Sequence, residues 1–334
     1  MNETSFAFAI LLVTAGGLLT GSFAVPMKYL TRWRWENIWL LYALMAMVVI
    51  PTGVIGGVVP NLADIYSGAP RSAVIGVLVC GYFWGLGSVT FGIGVDRLGM
   101  GLGFSLIMGI STLLGTLLPF FLAEQVKLKT WLFAPGLALL LAGVAVCGYA
   151  GNRRETDVSS NAGPARRGFR TGLLICLVSG VMSSLFNVGM MISRPVQDLA
   201  SKAGAPEWAS GNTVWPILLG GGFLANVSYC GYLLRKNGTA GLFLKGGWKE
   251  WAGGITMGAF WIGGVMMYGA GAFFMGELGP ILGWPMFTSL IIVCAYFLGR
   301  LTGEWSGAGR LTVRWMNTGI GVIVLSLFLI GFSR

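Results

Sequence analysis

The chain contains no histidine in 334 residues. That excludes a His-based metal site, and it leaves any proton chemistry to carboxylates. Carboxylates are scarce too, 12 Asp and Glu against 22 Lys and Arg, and charged residues of all kinds make up only 10%. Such a chain, 55% hydrophobic, could not present a charged surface to water all round. It suits lipid, where helices satisfy every backbone polar group internally. The five cysteines (Cys80, Cys147, Cys176, Cys230 and Cys294) all fall in apolar segments and none shows C-x-x-C spacing. They read as buried, reduced and inert. There is no P-loop and hence no sign of ATP-driven work. Gly99, Gly101 and Gly103 form a glycine-rich run, but no strand precedes it, so a dinucleotide site fails its context test. Asn226-Val-Ser228 matches a glycosylation pattern yet lies inside an apolar run. No cofactor and no metal are expected.

What the chain has in abundance is long apolar runs and 54 glycines. About 20 apolar residues cross a bilayer core. Ten stretches qualify, at roughly 5–27, 37–59, 72–95, 98–122, 130–150, 170–193, 211–234, 251–275, 279–299 and 311–332. An all-α integral membrane protein with the lipid bilayer as its solvent is therefore predicted. Small residues let such helices approach closely. Counting Lys and Arg over alternate loops and helix ends gives 16 on one side and 6 on the other. The positive-inside rule then sets both termini outside. The net charge of +10 is explained by this topology, with no nucleic-acid partner expected. The first run lacks a basic leader and is too long for a signal-peptide core, so it reads as a true span.

Two passages repeat. Residues 81–94 and 258–271 both carry Gly-x-Phe-Trp, followed seven residues after the Trp by Phe91-Gly92 or Tyr268-Gly269. Leu98-Gly99 precedes Glu124 by the same 26 residues that separate Leu278-Gly279 from Glu304. The polar segment 151–169 divides the chain into a first five-helix repeat, 1–150, and a second, 170–334. Five is odd, so the second unit begins on the opposite face. An inverted repeat of this kind suits alternating access, with a site between the repeats near the midplane.

The five-plus-five plan, with Glu124 and Glu304 just before the last helix of each half, resembles the drug/metabolite transporter superfamily. Within it, several passages resemble the L-rhamnose–proton symporter family. They are Phe23-Ala-Val-Pro-Met-Lys28, residues 33–39, residues 83–87, 97–103 with 115–119, Phe260-Trp261, and residues 304–309. The resemblance implies a secondary active transporter of the bacterial inner membrane that imports L-rhamnose or a related deoxy-sugar with protons. A drug/metabolite exporter or an uncoupled sugar facilitator of the same fold stays open, and Met190, Met191, Met266 and Met267 suit the exporter. An enzyme would need a nucleophile or metal cluster at depth, and no carboxylate sits at the centre of any span.

For a sugar, Trp84 and Trp261 are candidate platforms, since a pyranose C–H face packs on an aromatic ring; the competing role is a large core residue wedged against glycines. Ser88 and Phe91 share a helix face with Trp84, and Tyr268 shares one with Trp261. Ser88, Tyr268 and Asn187 could read hydroxyls, with interhelical bonding as the alternative. Trp284, Thr112, Thr288 and Asn226 are weaker candidates. Lys28, after Pro26, could snorkel to the interface, gate a cavity or pair with a carboxylate. Asp96 stands beside Arg97, which favours a structural ion pair, and Glu277 has no adjacent cation and is the first choice as proton carrier. Glu124 and Glu304 read as helix-terminus anchors, and Glu36 as a carboxylate at a positive helix end.

Overall fold

In a computed structural model of the chain, residues 3–98, 100–122, 128–158 and 169–334 are described, and every regular element among them is helical. Among the described residues, ten helical stretches are long and apolar enough to cross a membrane. They are α1 (Phe6–Tyr29), α2 (Trp35–Val58), α3 (Arg71–Gly94), α4 (Ser105–Leu122), α5 (Thr130–Arg154), α6 (Arg170–Lys202), α7 (Glu207–Asn237), α8 (Trp248–Phe274), α9 (Gly279–Leu301) and α10 (Arg310–Phe332). The ten runs read from the sequence match them to within a few residues, except that α4 begins as a span at Ser105 where the sequence run starts at 98, and that α6 and α7 extend through short amphipathic and surface turns.

The halves are interleaved. Helix α1 packs on α8 and α9, and α6 packs on α3 and α4. Helix α2 reaches α7 and α8, α3 reaches α7, and α5 pairs with α4 and α10 at the periphery. Glycine sets how close these crossings are. A Cβ on Gly81 would strike the Leu218 backbone of α7, and one on Gly264 would strike Gly16 and Thr20 of α1. Lipid offers no hydrophobic drive between helices, so such backbone approach is what holds them.

Two helices depart from regular geometry. In α2 a π-helical turn covers Met45–Val49 just before Pro51, and α9 opens with another at Gly279–Gly283 just before Trp284-Pro285. Prolines without an N–H favour such local rearrangement.

The segment expected as a polar linker stays helical through Val158, beyond the membrane-crossing part of α5. Asp157 explains this. Its Oδ2 accepts from the Thr312 hydroxyl at 2.5 Å and the Gly309 amide at 2.8 Å, clasping α5 to the start of α10. The Thr312 hydroxyl first, then the Gly309 amide, hold the Asp157 carboxyl below its usual range. A depressed folded pKa adds stability above the unfolded value of about 3.9 and loses it as pH falls through the folded value. Asp157→Asn should therefore melt below the wild type at pH 7, and the gap should close as the pH is taken below about 4. A constant gap across that range would refute the clasp.

Candidate functional site

Trp84 of α3 and Trp261 of α8 come together near the middle of the bundle. Their rings stack with centroids 5.7 Å apart and planes at 27°. A sugar ring between two aromatic planes needs roughly 7–8 Å, twice a carbon contact distance. The pair is closed on itself. The Gly222 backbone of α7 lies against the Trp84 ring, where only a glycine fits.

Around this pair lies an aromatic cluster that includes the candidates Trp284 and Tyr268 and three residues that sequence reasoning did not find, Phe186, Trp215 and Phe287. Phe186 of α6 is its hub, at 5.1 Å from Trp84, 6.2 Å from Trp261, 5.8 Å from Trp284 and 5.0 Å from Trp215, stacked on the last two. Tyr268 stacks on Phe287 at 4.7 Å and tilts on Trp284 at 5.9 Å. The Trp284 indole N–H donates to the Ser111 carbonyl of α4 at 3.2 Å.

Next to Phe186, Asn187 is wholly buried and every hydrogen bond it makes is internal. The Tyr268 hydroxyl donates to its Oδ1. Its Nδ2 donates to the Gly115 carbonyl at 2.6 Å and the Pro280 carbonyl at 2.9 Å. Both acceptors are orphaned by prolines. Gly115 would normally receive the N–H four residues on, where Pro119 has none, and Pro285 has none to close a π-helical turn onto Pro280. One amide thus ties α4, α6, α8 and α9 together. Buried polar groups need such partners.

On the other side of the tryptophan pair is a second polar knot. Asn226 of α7 accepts from the Trp39 indole N–H at 3.0 Å, and its Nδ2 donates to Ser88 Oγ at 3.2 Å and to the Gly222 carbonyl at 2.9 Å. Ser88 and Trp39 are half-buried, and Asn226 is buried. Thr112 and Thr288 meet at 3.2 Å across α4 and α9. Phe91 is half-buried, packed towards Leu98, Ile107 and Cys176.

The charged candidates lie at the ends. Lys28 closes α1 and forms an ion pair with Glu304, while its Nζ also donates to Thr302 at 2.6 Å. Both partners are about a third exposed, which limits such a pair to roughly 0–1 kcal/mol. Arg154 donates to the Glu304 carbonyl at 2.8 Å. Glu36 is buried in the first turn of α2 and accepts from Asn237 at 3.0 Å and Thr239 at 2.7 Å at the end of α7. Glu277 opens onto a cavity of about 390 Å³ shared with Arg194, Asp198, Met191, Pro119 and Pro280. It has no cation beside it in sequence, yet α6 supplies Arg194 to the same cavity. The Asp96 side chain and Glu124 lie outside the described residues.

The chain is similar over most of its length to curated relatives. It is 24% identical over 331 residues to the L-rhamnose-proton symporter of Mannheimia succiniciproducens, over 333 to that of Pectobacterium atrosepticum and over 334 to that of Escherichia coli, each match covering 95% of both chains. A solved crystal structure of a protein 17% identical superposes with a TM-score of 0.55, covering 96% of this chain and 95% of that one; it bears on the fold alone. Residues 2–334 match the family described as L-rhamnose-proton symport protein, and the chain belongs to that family.

Proposed function

We propose that this protein carries L-rhamnose, or a related deoxy-sugar, into the cell together with protons. Membership of the symport family over nearly the whole chain carries the reading. We place it within the drug/metabolite transporter superfamily, in the bacterial inner membrane, with both termini outside and two inverted repeats, 1–150 and 170–334, rocking about the aromatic centre.

Packing supports the repeat. In α3, Gly81 meets α7 at Leu218, Gly87 meets α6 at Met182 and Ser183, and Gly94 meets α6 at Cys176. The matching glycines of α8 do the same against the first half. Gly258 meets α2 at Met45, Gly264 meets α1 at Thr20, and Gly271 meets α1 at Ala9 and Val13.

The two copies differ in how tightly they are shut. Tyr268 is wholly buried, whereas its counterpart Phe91 is half-buried. A Cβ on Gly269 would meet Asn212 and Trp215, while one on Gly92 would meet nothing within 4 Å. With the termini outside, the sealed half is the outer one. Asn187 and Tyr268 then latch the outer gate in this state, and Ser88 with Asn226 lies on the inner side of the tryptophan pair. Sugar binding would part the Trp84–Trp261 stack so that the rings hold its apolar face. Glu277, in the outer cavity, is the proposed proton carrier.

The test is uptake of radiolabelled L-rhamnose into proteoliposomes. With one proton per sugar, each pH unit of inward gradient should support about tenfold accumulation, because a unit is worth about 1.4 kcal/mol. Glu277→Gln should abolish accumulation while leaving exchange of labelled for unlabelled sugar. Equilibration that ignores the gradient in the wild type would make the protein a facilitator. No uptake by folded protein would sink the substrate.

A further inference from the structure

Between α4 and α5, away from the aromatic centre, runs a cavity of about 460 Å³. Leu106, Leu113, Leu141 and Val144 wall it, and Gly109 and Ala145 keep it open. At Gly109 a Cβ would touch only Val144, at 3.9 Å. The walls give way to polar groups at one end alone, at Ser105, Tyr149 and Asn152. A sugar has nothing to bond along most of this length, whereas a hydrocarbon chain fits it throughout. From Leu141 to Asn152 the groove follows α5 for about three turns, roughly 16 Å. That is about half of a hydrocarbon core roughly 30 Å thick, the depth of one leaflet.

The polar end carries positive charge. The Arg153 guanidinium lies 5.9 Å from the Tyr149 ring centre and donates to the Tyr149 hydroxyl at 3.3 Å. Tyr149 is half exposed and lines the groove mouth. On the same helix, Asp157 bonds Thr312 and Gly309 through its Oδ2 and also feels the charge of Arg153, and Arg154 donates to the Glu304 carbonyl and lies over Trp305; the Glu155 side chain lies outside the described residues. Arg153 stands at this mouth through its bond to Tyr149, and basic groups beside an interhelical groove bind lipid phosphates.

We infer that this groove is a binding site for an anionic phospholipid, one acyl chain lying between α4 and α5 and the phosphate held by Arg153 and Tyr149. The site does not depend on what the protein transports, so its test can fail while the transport reading stands. On the topology proposed above, the lipid belongs to the inner leaflet.

The test is native mass spectrometry of the full chain released from detergent after mixing with phosphatidylglycerol or phosphatidylcholine of equal chain length. Wild type should retain phosphatidylglycerol at least fivefold over phosphatidylcholine. Arg153→Gln should bring the two to parity while both still bind. Gly109→Leu fills the groove and should remove both, and Ala145→Leu, at a more exposed position, serves if Gly109→Leu lowers the melting temperature. Equal retention of the two lipids by the wild type, or unchanged phosphatidylglycerol on either groove-filling variant, would overturn the inference. So would a dimer that both variants dissociate, because a second copy would then occupy the groove.

Discussion

Proteoliposomes carrying Trp84→Ala should take up L-rhamnose with a KM raised about 30-fold and little accumulation at low sugar. The substitution removes one face of the proposed sugar platform. It also frees Trp261, whose ring is stacked on it at 5.7 Å. Loss of one aromatic contact surface of this size is worth about 2 kcal/mol, which is about 30-fold in affinity. Trp84→Phe keeps a stacking ring and should recover most of the loss. A merely structural role predicts the opposite order of effects. The Trp84 ring fills space against Gly222 and Phe186, so truncation would then lower melting temperature and yield while the folded fraction kept its KM. Thermal melting beside the uptake curve separates the two outcomes.

Asn187→Ala should open the sealed half. Its amide is the donor to two carbonyls that prolines have left without partners, and each buried unsatisfied carbonyl costs about 1–3 kcal/mol. The sealed arrangement would lose about 3 kcal/mol relative to one in which water reaches these groups. Inverting a 99:1 population takes about 5.5 kcal/mol, so this shift brings the two states near parity. The readout is labelling of Ile281→Cys, at a wholly buried position beside Pro280, by a membrane-impermeant maleimide in a background with the five native cysteines replaced by alanine. Labelling from outside should rise on the order of 50-fold with Asn187→Ala and by much less with Tyr268→Phe, which removes a single hydrogen bond. Equal labelling rates in the parent and Asn187→Ala would refute the latch.

The spans and the meeting of Trp84 with Trp261 were legible because they rest on long-range regularities, namely apolar run length and a repeated motif. Azimuth was not. A soluble helix advertises its buried face by an apolar stripe, but a helix between lipid and other helices is apolar on every side, and Phe186 looks like any other phenylalanine in such a run. Its position as the hub of four aromatic neighbours emerges only when α6, α3, α7, α8 and α9 are brought together. The Asn187 network did leave a trace. Pro119 and Pro285 each forecast a carbonyl in need of a donor, and an asparagine deep in a span is a donor in need of work. The surroundings of Glu277 were hidden for a different reason. Its cationic neighbour comes from another helix, so the absence of a cation beside it in the chain said nothing about its cavity.

The bond from Asn187 to Gly115 and Pro280 also bears on what can enter. When α6 draws away from α4 and α9, two carbonyls are stripped of their donor at once, in a place too apolar to leave them bare. They then select for whatever arrives with hydroxyl hydrogens to offer. Water meets that need, and so does a polyhydroxylated sugar, whereas a hydrocarbon does not. The gate and the filter would then be one chemical event, the replacement of an internal amide by a visiting hydroxyl.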